Sequence, residues 1–597
     1  MRKELLLLGA FGMLTTATLC AQEFHLQPTP QEYITQKDSV DIPRQYQILS
    51  GNSVQDGPAL PLLRSLMPEE VLGASFRVYI GVKGDKIIKK YQHRIPRKSE
   101  GYYLKIEKDC IVIAGADERG AYYGVQTLAQ LLALDKLPLA EVTDYPDVPY
   151  RGVVEGFYGA PWSQEARIRQ LDFYGRNKMN VYIYGPKDDP YHRTPNWRKP
   201  YPAREGEELK VLVNRAKENN VIFYWAIHPG QDIRWNEEDR SLLLQKFESM
   251  YQLGVRGFAV FFDDISGEGT KADKQAELLN YIDDHFVKVK RDVAPLILCP
   301  TEYNKSWTDV EGGYLTTLGD KLNEGIKVMW TGDMVVATID KSTLDFVNPL
   351  LKRKAYIWWN FPVSDYVQDH LLLGPVYGNG LDIKDDMSAF VSNPMEHAEA
   401  SKISLYSVAD YTWNMENYDS ETSWKHAVRD LMPLHAEYLE IFAAHNSDPG
   451  QNGHRFRREE SFAIQPALSA LLKAYQEKNE IDEDAYRQVA EECRKIIVAA
   501  DGLLASGNEN RPLITEIRPW LIQFKQVGEY GAEVLNMIRL RQQKDAFIGS
   551  YEHARALLVL MGETDAQYKA GIKSGSLHLM PTFNALFEAA TTGYNAA

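Results

Sequence analysis

From about residue 148 onward, the chain alternates short apolar runs with longer segments whose apolar positions recur at helical spacing. The longer segments predict helices at residues 164–177, 207–220, 238–253 and 271–290. The short runs are rich in β-branched and aromatic residues, and they predict eight strands, at residues 150–155, 180–184, 221–227, 257–262, 296–299, 327–330, 355–359 and 402–406.

Eight successive strand–helix units favour a (β/α)8 TIM barrel over residues 148–424, in which the side chains that do chemistry follow the strands. An open, doubly wound sheet is the alternative. We favour the barrel because no dinucleotide-binding glycine motif follows the first strand, and because polar residues follow nearly every strand.

The regions on either side of the predicted barrel have different patterns. Residues 22–147 predict a small α/β domain, with strand-like runs at 76–82 and 102–113 and a helix at 118–132 that opens after Asp117. Residues 425–597 predict a helical bundle, with long helical patterns at 426–444, 465–477, 483–504 and 519–543. The polar stretch 445–454 predicts a loop, and residues 451–458 could reach back towards the mouth of the barrel.

The first residues resemble an export signal. A positively charged start precedes an apolar run at residues 5–19, and Ala21 is a small residue suited to cleavage. A lipoprotein would be anchored through Cys20 instead, but the bulky Leu19 before it fits that pattern poorly. We therefore expect a signal peptide at residues 1–21 and a protein exported to the periplasm or secreted. Neither this run nor any later stretch is long and apolar enough to predict a membrane span.

The composition indicates a globular protein and disfavours some partners. The chain is 44% hydrophobic and 25% charged, which is far from a disordered composition. Its formal net charge of −15 opposes polyanions, so we expect no nucleic-acid partner. The four cysteines are widely separated and no His and acid cluster has ligand spacing, so we expect no metal, no cofactor and no disulfide framework. Nothing in the sequence indicates an oligomeric state.

The strongest local signal for chemistry is the segment FAVFFDDISGEG at residues 258–269, a buried-strand run that ends in Asp263 and Asp264. Neighbouring side chains of a strand point to opposite faces, so both carboxylates can face one cavity only if the chain turns there; Gly267 and Gly269 would permit this. Two adjacent carboxylates cannot both ionise freely, so one is expected to have a raised pKa and to act as a general acid. Alternatively, Asp264 caps the next helix, or both acids bind a cation.

The other predicted strand ends add hydroxyl-binding polar groups and aromatic rings, a mixture that suits a neutral sugar. These residues are Gly156, Tyr158, Lys187, Asp188, Asp189, His228, Tyr303, Asn304, Thr331, Asp333, Trp358, Trp359 and Asn360.

Five segments, in order along the chain, resemble glycoside hydrolase family 84, the O-GlcNAcase family of retaining β-N-acetylglucosaminidases. They are GFYG at 156–159, YGPKDDPY at 184–191, FFDD at 261–264, CPTEYN at 299–304 and WWNFP at 358–362. The resemblance extends over the N-terminal domain, the barrel and the bundle. It implies a hydrolase that removes terminal β-linked GlcNAc from a glycoprotein or a glycan.

The resemblance also implies a role for each site residue. Asp263 would orient and polarise the 2-acetamido N–H of the substrate, and Asp264 would be the general acid and later the base. The acetamido oxygen would attack the anomeric carbon and form an oxazoline, so no enzyme nucleophile is needed. Tyr303 would hold the acetamido oxygen, and Gly156 (through its carbonyl) and Lys187 would bind ring hydroxyls. Asn360, Asp365 and Asn393 would bind the acetamido region and the far hydroxyls. Trp358 and Thr331 would form the wall of the acetamido pocket, and Tyr158 would be a further substrate-binding residue.

Several of these residues also have a purely structural interpretation. Lys187 could pair with a neighbouring aspartate, Asn393 could start a turn, and Trp358 could belong to the core. We interpret His228 as structural.

Three rival functions are open at this point. A hyaluronidase is disfavoured by the acidic net charge. A non-catalytic sugar-binding barrel would be expected to lose Asp264 or Tyr303, and both are present. A chitinase-like barrel would carry a spaced acidic motif that ends in Glu, whereas this strand ends in Asp-Asp.

Overall fold

The computed structural model describes residues 25–67 and 69–596, so the predicted signal peptide lies outside the described residues. The predicted small α/β domain is confirmed: a six-stranded sheet is covered by two helices, and Asp117 caps the second of these by accepting a hydrogen bond from the Gly120 N–H at 2.9 Å. The sheet has the order β1-β6-β4-β5-β3-β2 and comprises β1 (Glu32–Val40), β2 (Gln47–Ser50), β3 (Arg77–Val82), β4 (Tyr102–Ile106), β5 (Cys110–Gly115) and β6 (Leu137–Asp144), with helices α1 (Ala59–Leu66) and α2 (Glu118–Leu132) and 3-10 segments at Asn52–Val54 and Lys86–Arg94.

The predicted barrel is also confirmed, since eight parallel strands close on themselves. The strands are β7 (Arg151–Glu155), β8 (Val181–Tyr184), β9 (Ile222–Ile227), β10 (Gly257–Phe261), β11 (Ile297–Cys299), β12 (Lys327–Trp330), β13 (Ala355–Trp359) and β14 (Met387–Ser392). Around them lie α3 (Gln164–Arg176), α4 (Ala203–Glu218), α5 (Glu237–Gln252), α6 (Ala272–Ile282) with a π-helical turn at Asp283–Val287, α7 (Tyr314–Lys321), α8 (Lys341–Leu351) and α9 (Ala398–Trp413), and 3-10 turns at Gly267–Thr270 and Lys305–Trp307.

The predicted eighth strand is wrong. Residues 402–406 lie inside α9, and the strand that closes the barrel is β14, between β13 and β7. Every residue of α9 is buried, because the helix is enclosed between the barrel and the neighbouring helices. A helix buried on all sides lacks the polar face that makes helical periodicity visible, so its apolar residues resembled a strand.

The C-terminal region is helical, as predicted, but two helix limits differ. The predicted helix at 426–444 is two helices, because Pro433 interrupts it. The predicted start at Pro519 is wrong because this proline lies inside a long helix that begins at Arg511, where the Asn510 side chain caps it. The helices are α10 (Ser420–Leu431), α11 (Ala436–Ala444), α12 (Gln465–Lys478), α13 (Glu483–Ala505), α14 (Arg511–Leu540), α15 (Lys544–Ala566) and α16 (Leu579–Ala596), and the predicted domain limit at residue 424 falls inside α10.

Buried polar contacts join the barrel to both neighbouring regions. Arg151 at the start of β7 forms an ion pair of 2.6 Å with Glu100, which precedes β4. Glu516 in α14 accepts a hydrogen bond of 2.8 Å from the Ala400 N–H, one of the donors left unpaired at the start of α9. Among the helices of the described ranges, none is both long and apolar enough to cross a bilayer.

Candidate active site

A cavity of about 250 Å³ opens at the carboxyl ends of the barrel strands, the position predicted for chemistry. It brings together the eleven residues to which the resemblance assigns a role, together with seven residues that the sequence interpretation did not select. Of the other strand-end candidates, Asp188 and Asp189 line a separate groove, and His228, Asn304, Asp333 and Trp359 are not part of the lining. The lining consists of the predicted Gly156, Tyr158, Lys187, Asp263, Asp264, Tyr303, Thr331, Trp358, Asn360, Asp365 and Asn393, and of Cys299, Trp307, Val335, Val336, Val363, Tyr366 and His454.

Asp263 and Asp264 reach the same cavity because the backbone turns directly after β10. The strand ends at Phe261, and Asp264 has a left-handed φ of 52°. This conformation costs on the order of 1 kcal/mol for a residue other than glycine, and such strain is concentrated at functional sites. The predicted departure from strand geometry therefore takes place at Asp264 itself, before Gly267, whose φ is also positive.

The Asp263 carboxylate is buried, and its two oxygens have different neighbours. Oδ2 accepts a hydrogen bond of 2.7 Å from Nζ of Lys187, which is equally buried. Oδ1 is buried with no hydrogen-bond partner in the described part of the chain, and His228 Nε2 lies 3.5 Å from it. Burial opposes the negative charge, but the Lys187 ammonium, the neighbouring His228 and a backbone hydrogen bond together outweigh it and hold the pKa of Asp263 below its usual range. Asp263 is therefore ionised at neutral pH and has one oxygen left to accept a hydrogen bond from a ligand.

Asp264 is the more exposed carboxylate, and two phenols hold it. Oδ1 accepts a hydrogen bond from the Tyr303 hydroxyl at 2.8 Å, and Oδ2 accepts one from the Tyr158 hydroxyl at 2.9 Å. Burial, with a contribution from Asp264, raises the pKa of Tyr158 to about 12 and also raises the pKa of Tyr303, so both phenols are protonated at neutral pH. A phenol can donate or accept, so these two hydroxyls can bind Asp264 in either protonation state.

Two side-chain amides join the ends of β7, β13 and β14. Asn360 Oδ1 accepts hydrogen bonds from Trp358 Nε1 at 2.8 Å and from Asn393 Nδ2 at 3.0 Å. Asn393 Oδ1 in turn accepts one from the Gly156 N–H at 3.3 Å. A Cβ atom at Gly156 would lie 2.5 Å from the Trp358 ring, so only glycine lets the indole approach this strand end. Trp358 and Asn393 thus have a structural role as well as a place in the cavity wall.

Backbone groups fix Thr331 and Asp365. Thr331 Oγ1 donates a hydrogen bond of 3.0 Å to the Met334 carbonyl. Asp365 Oδ2 accepts one of 2.9 Å from the Tyr158 N–H, so it ties the loop after β13 to the loop after β7. Burial raises the pKa of Asp365, although this N–H opposes the shift.

Trp307 and His454 are the most informative residues that the sequence interpretation missed. Trp307 is 49% exposed, and its ring meets the ring of Tyr303 edge-on at 4.9 Å. It is the last residue of the 3-10 turn that follows Tyr303. Its position as an aromatic residue just after the strand-end segment CPTEYN is the sequence signal that could have identified it. The ring centres of His454 and Tyr366 are 4.9 Å apart. His454 lies in the loop after α11. The sequence predicted that this loop could return towards the barrel, but it did not indicate which residue would enter the cavity.

Arginines anchor the loop that carries His454. Arg458 is buried, lies 4.0 Å from the ring centre of Tyr377 and 4.5 Å from that of Phe361, and donates a hydrogen bond of 2.9 Å to the Tyr377 carbonyl. Arg457 forms a 2.7 Å ion pair with Asp448 at the other end of the loop. The region after the barrel thus completes the cavity wall.

The structure decides between the alternatives for two residues. Lys187 pairs with Asp263 and not with a neighbouring aspartate. The Asp264 side chain binds two phenols rather than the start of a helix. His228, interpreted as structural, lies beside Asp263, with Nε2 2.8 Å from its carbonyl oxygen. Within residues 25–67 and 69–596, no group of three or more His, Cys, Asp and Glu side chains is placed to hold a metal ion.

Three family models match the chain. The one described as beta-N-acetylglucosaminidase matches residues 151–444, which contain the barrel and the cavity residues other than His454. The one described as the post-catalytic domain of bacterial GH84 matches residues 460–587. Domain 2 of glycosyl hydrolase family 20 matches residues 23–145.

Individual relatives agree with these matches. The protein O-GlcNAcase of Rattus norvegicus is 35% identical over 276 residues, which are 45% of this chain and only 30% of the rat protein. The solved structure of CpGH84B is 31% identical with a TM-score of 0.86, and the match covers 94% of this chain and 100% of that one. The structure of CpGH84D is 28% identical with a TM-score of 0.88, with coverage of 96% and 100%.

Proposed function

Because this chain belongs to glycoside hydrolase family 84, we propose that it is a retaining exo-β-N-acetylglucosaminidase that removes terminal β-linked GlcNAc from glycoproteins or glycans. The acetamido group of the substrate would be the nucleophile, and the reaction would pass through an oxazoline. This substrate assistance is an exception to the usual scheme for retaining enzymes, in which an enzyme carboxylate attacks the sugar.

The observation that carries the proposal is the different environment of two carboxylates in one cavity. Asp263 is buried, paired with Lys187 and has a free oxygen, so it suits an ionised acceptor for the acetamido N–H. Asp264 is more exposed and is held by two hydroxyls that can bind its neutral or its charged form, so it suits a group that gives up and regains a proton.

The proposed reaction has two steps. In the first, the acetamido oxygen forms a bond to the anomeric carbon, the glycosidic bond breaks, and Asp264 gives its proton to the departing oxygen. Asp263 accepts a hydrogen bond from the acetamido N–H and stabilises the positive charge that develops on this group. In the second, Asp264 takes a proton from water, whose oxygen bonds to the anomeric carbon and opens the oxazoline. Each displacement inverts the configuration at the anomeric carbon, so the two together retain the β configuration.

Side-by-side assays of the purified protein on aryl β-GlcNAc, aryl β-GalNAc and hyaluronan test the proposed activity. We expect turnover of the GlcNAc substrate and none of hyaluronan. Binding of GlcNAc without turnover would favour the non-catalytic sugar-binding alternative, and depolymerised hyaluronan would favour the hyaluronidase.

Lys187→Met is expected to lower kcat/KM on aryl β-GlcNAc by about 10- to 100-fold near neutral pH, because a binding group and the partner of Asp263 are both lost. Without the ammonium, burial dominates and the pKa of Asp263 rises, so the acidic limb of the pH profile should move to higher pH. The pH dependence of kcat/KM, measured beside the melting temperature, checks this. A folded variant with an unmoved acidic limb would show that Lys187 does not set the charge of Asp263.

We also propose that the protein is exported, on the basis of the charged start, the apolar run at residues 5–19 and Ala21. Expression of the full chain in a Gram-negative host, followed by mass spectrometry of the mature protein, should give an N-terminus near Gln22. A retained Met1, or a lipid on Cys20, would contradict cleavage after Ala21.

A further inference from the structure

His228 lies directly after β9 and beside Asp263, which follows the neighbouring strand β10. The two strands are parallel, with Ile227 opposite Val260, so both residues reach the same end of the barrel. His228 Nε2 is 2.8 Å from the Asp263 carbonyl oxygen and 3.5 Å from Oδ1, the carboxylate oxygen with no hydrogen-bond partner among the described residues. Both neighbours of Nε2 are acceptors, so this nitrogen carries the proton.

The surroundings of His228 favour its neutral form. Its Nδ1 is buried without a hydrogen-bond partner in the described part of the chain, so a second proton would have no acceptor there. The titratable and charged groups around the ring are Asp263, Lys187, Arg193 and His192. Burial, which Asp263 only partly opposes, lowers the pKa of His228.

We propose that His228 is a positioning residue for the proposed glycosidase reaction, because its Nε2–H fixes Asp263 so that Oδ1 meets the acetamido N–H of the substrate. The inference rests on the proposed function. Lys187 holds Oδ2 by a charged hydrogen bond, and His228 holds the main chain of the same residue from the other side. A neutral donor leaves Oδ1 free for the substrate, whereas an imidazolium would compete for that oxygen and weaken it as an acceptor.

Asparagine and glutamine variants separate this role from a packing role. His228→Gln places an amide N–H near the position of Nε2, whereas His228→Asn carries the same amide closer to the backbone, near the position of Nδ1. We expect His228→Asn to lower kcat/KM by about 10- to 100-fold on activated and unactivated β-GlcNAc substrates alike, since Asp263 serves the nucleophile. Its acidic limb should move to higher pH, because the Nε2–H, 3.5 Å from Oδ1, no longer stabilises the negative charge of Asp263. His228→Gln should restore most of the activity and the position of that limb.

His192→Asn is the matched control. His192 is also fully buried and its Nδ1 lies 2.5 Å from the Ala226 carbonyl oxygen, with its ring centre 6.3 Å from that of His228. This variant should lower the melting temperature and leave the acidic limb in place.

Three results would overturn the positioning role: equal activity of the Asn and Gln variants, an acidic limb that stays in place in the Asn variant, or a limb that moves as far in His192→Asn. If His228→Asn does not fold, the test uses His228→Gln alone. A folded but inactive Gln variant contradicts the role. A Gln variant with the wild-type kcat/KM and the wild-type position of the acidic limb supports it. An inactive wild type on aryl β-GlcNAc would instead refute the proposed function itself.

Discussion

Asp263→Ala is expected to lower kcat/KM by about 10²- to 10⁴-fold on every β-GlcNAc substrate, whichever group leaves. Asp263 assists the acetamido nucleophile, and this help is needed equally for good and poor leaving groups. It is also the buried, ionised partner of Lys187, so alanine leaves that ammonium without its counter-charge. A series of aryl glycosides with phenols of different acidity checks the expectation, because the whole series should fall in parallel.

Asp188→Ala is the control for Asp263→Ala. Asp188 follows Lys187 along the chain but lines a separate groove beside α3 and α4. This variant should retain activity within about threefold of the wild type, as expected for a site away from the chemistry. Asp263→Ala with similarly small losses would contradict the proposed role of Asp263.

Asp264→Ala should produce the opposite dependence on the leaving group. An unactivated alkyl β-GlcNAc needs a proton on its departing oxygen and should lose about 10²- to 10⁴-fold, whereas a nitrophenyl glycoside, which departs with little protonation, should lose far less. The wild-type pH profile should have a basic limb that reports the protonated donor. In the variant, this limb should disappear for the activated substrate.

Asp264→Asn distinguishes the loss of proton donation from the loss of side-chain packing. The amide has the shape of the carboxyl group. It can accept a hydrogen bond from one of the Tyr158 and Tyr303 hydroxyls and donate one to the other, but it cannot act as an acid. It should therefore show the same leaving-group dependence as alanine. Equal losses on alkyl and nitrophenyl glycosides in both Asp264 variants would show that this residue is not the proton donor.

Most of the fold was predictable because its determinants are local. Seven of the eight barrel strands were predicted from apolar runs, and their ends supplied most of the cavity residues, because all strands of a parallel barrel end at the same face. The eighth unit was misassigned because α9 has no polar face and β14 has serines among its apolar residues. Burial on every side removes the periodicity from which secondary structure is inferred.

The composition of the site was more predictable than its electrostatics. The order of motifs placed Asp263, Asp264 and Lys187 at one barrel mouth, but nothing local to Lys187 indicates whether it pairs with Asp263 or with a neighbouring aspartate. The position of His228 against Asp263 likewise depends on the register between β9 and β10. Such contacts join residues far apart in the chain, so only the closed barrel defines them.

His454 illustrates a third limit. Its loop was predicted to approach the barrel, but the side chain that enters the cavity is fixed by Arg458 between two aromatic rings and by the Arg457–Asp448 pair. These anchors are packing and charge interactions that have no periodic signature in the sequence.

Fluorination of the substrate's N-acetyl group tests the proposed mechanism most directly. Successive replacement of the methyl hydrogens by fluorine withdraws electrons from the acetamido oxygen and makes it a poorer nucleophile, while the leaving group is unchanged. Wild-type kcat/KM on a series of aryl glycosides of GlcNAc should fall steeply with each fluorine. A rate that does not change across the series, together with a trapped covalent glycosyl ester on Asp263 or Asp264, would contradict substrate assistance and make that aspartate the nucleophile.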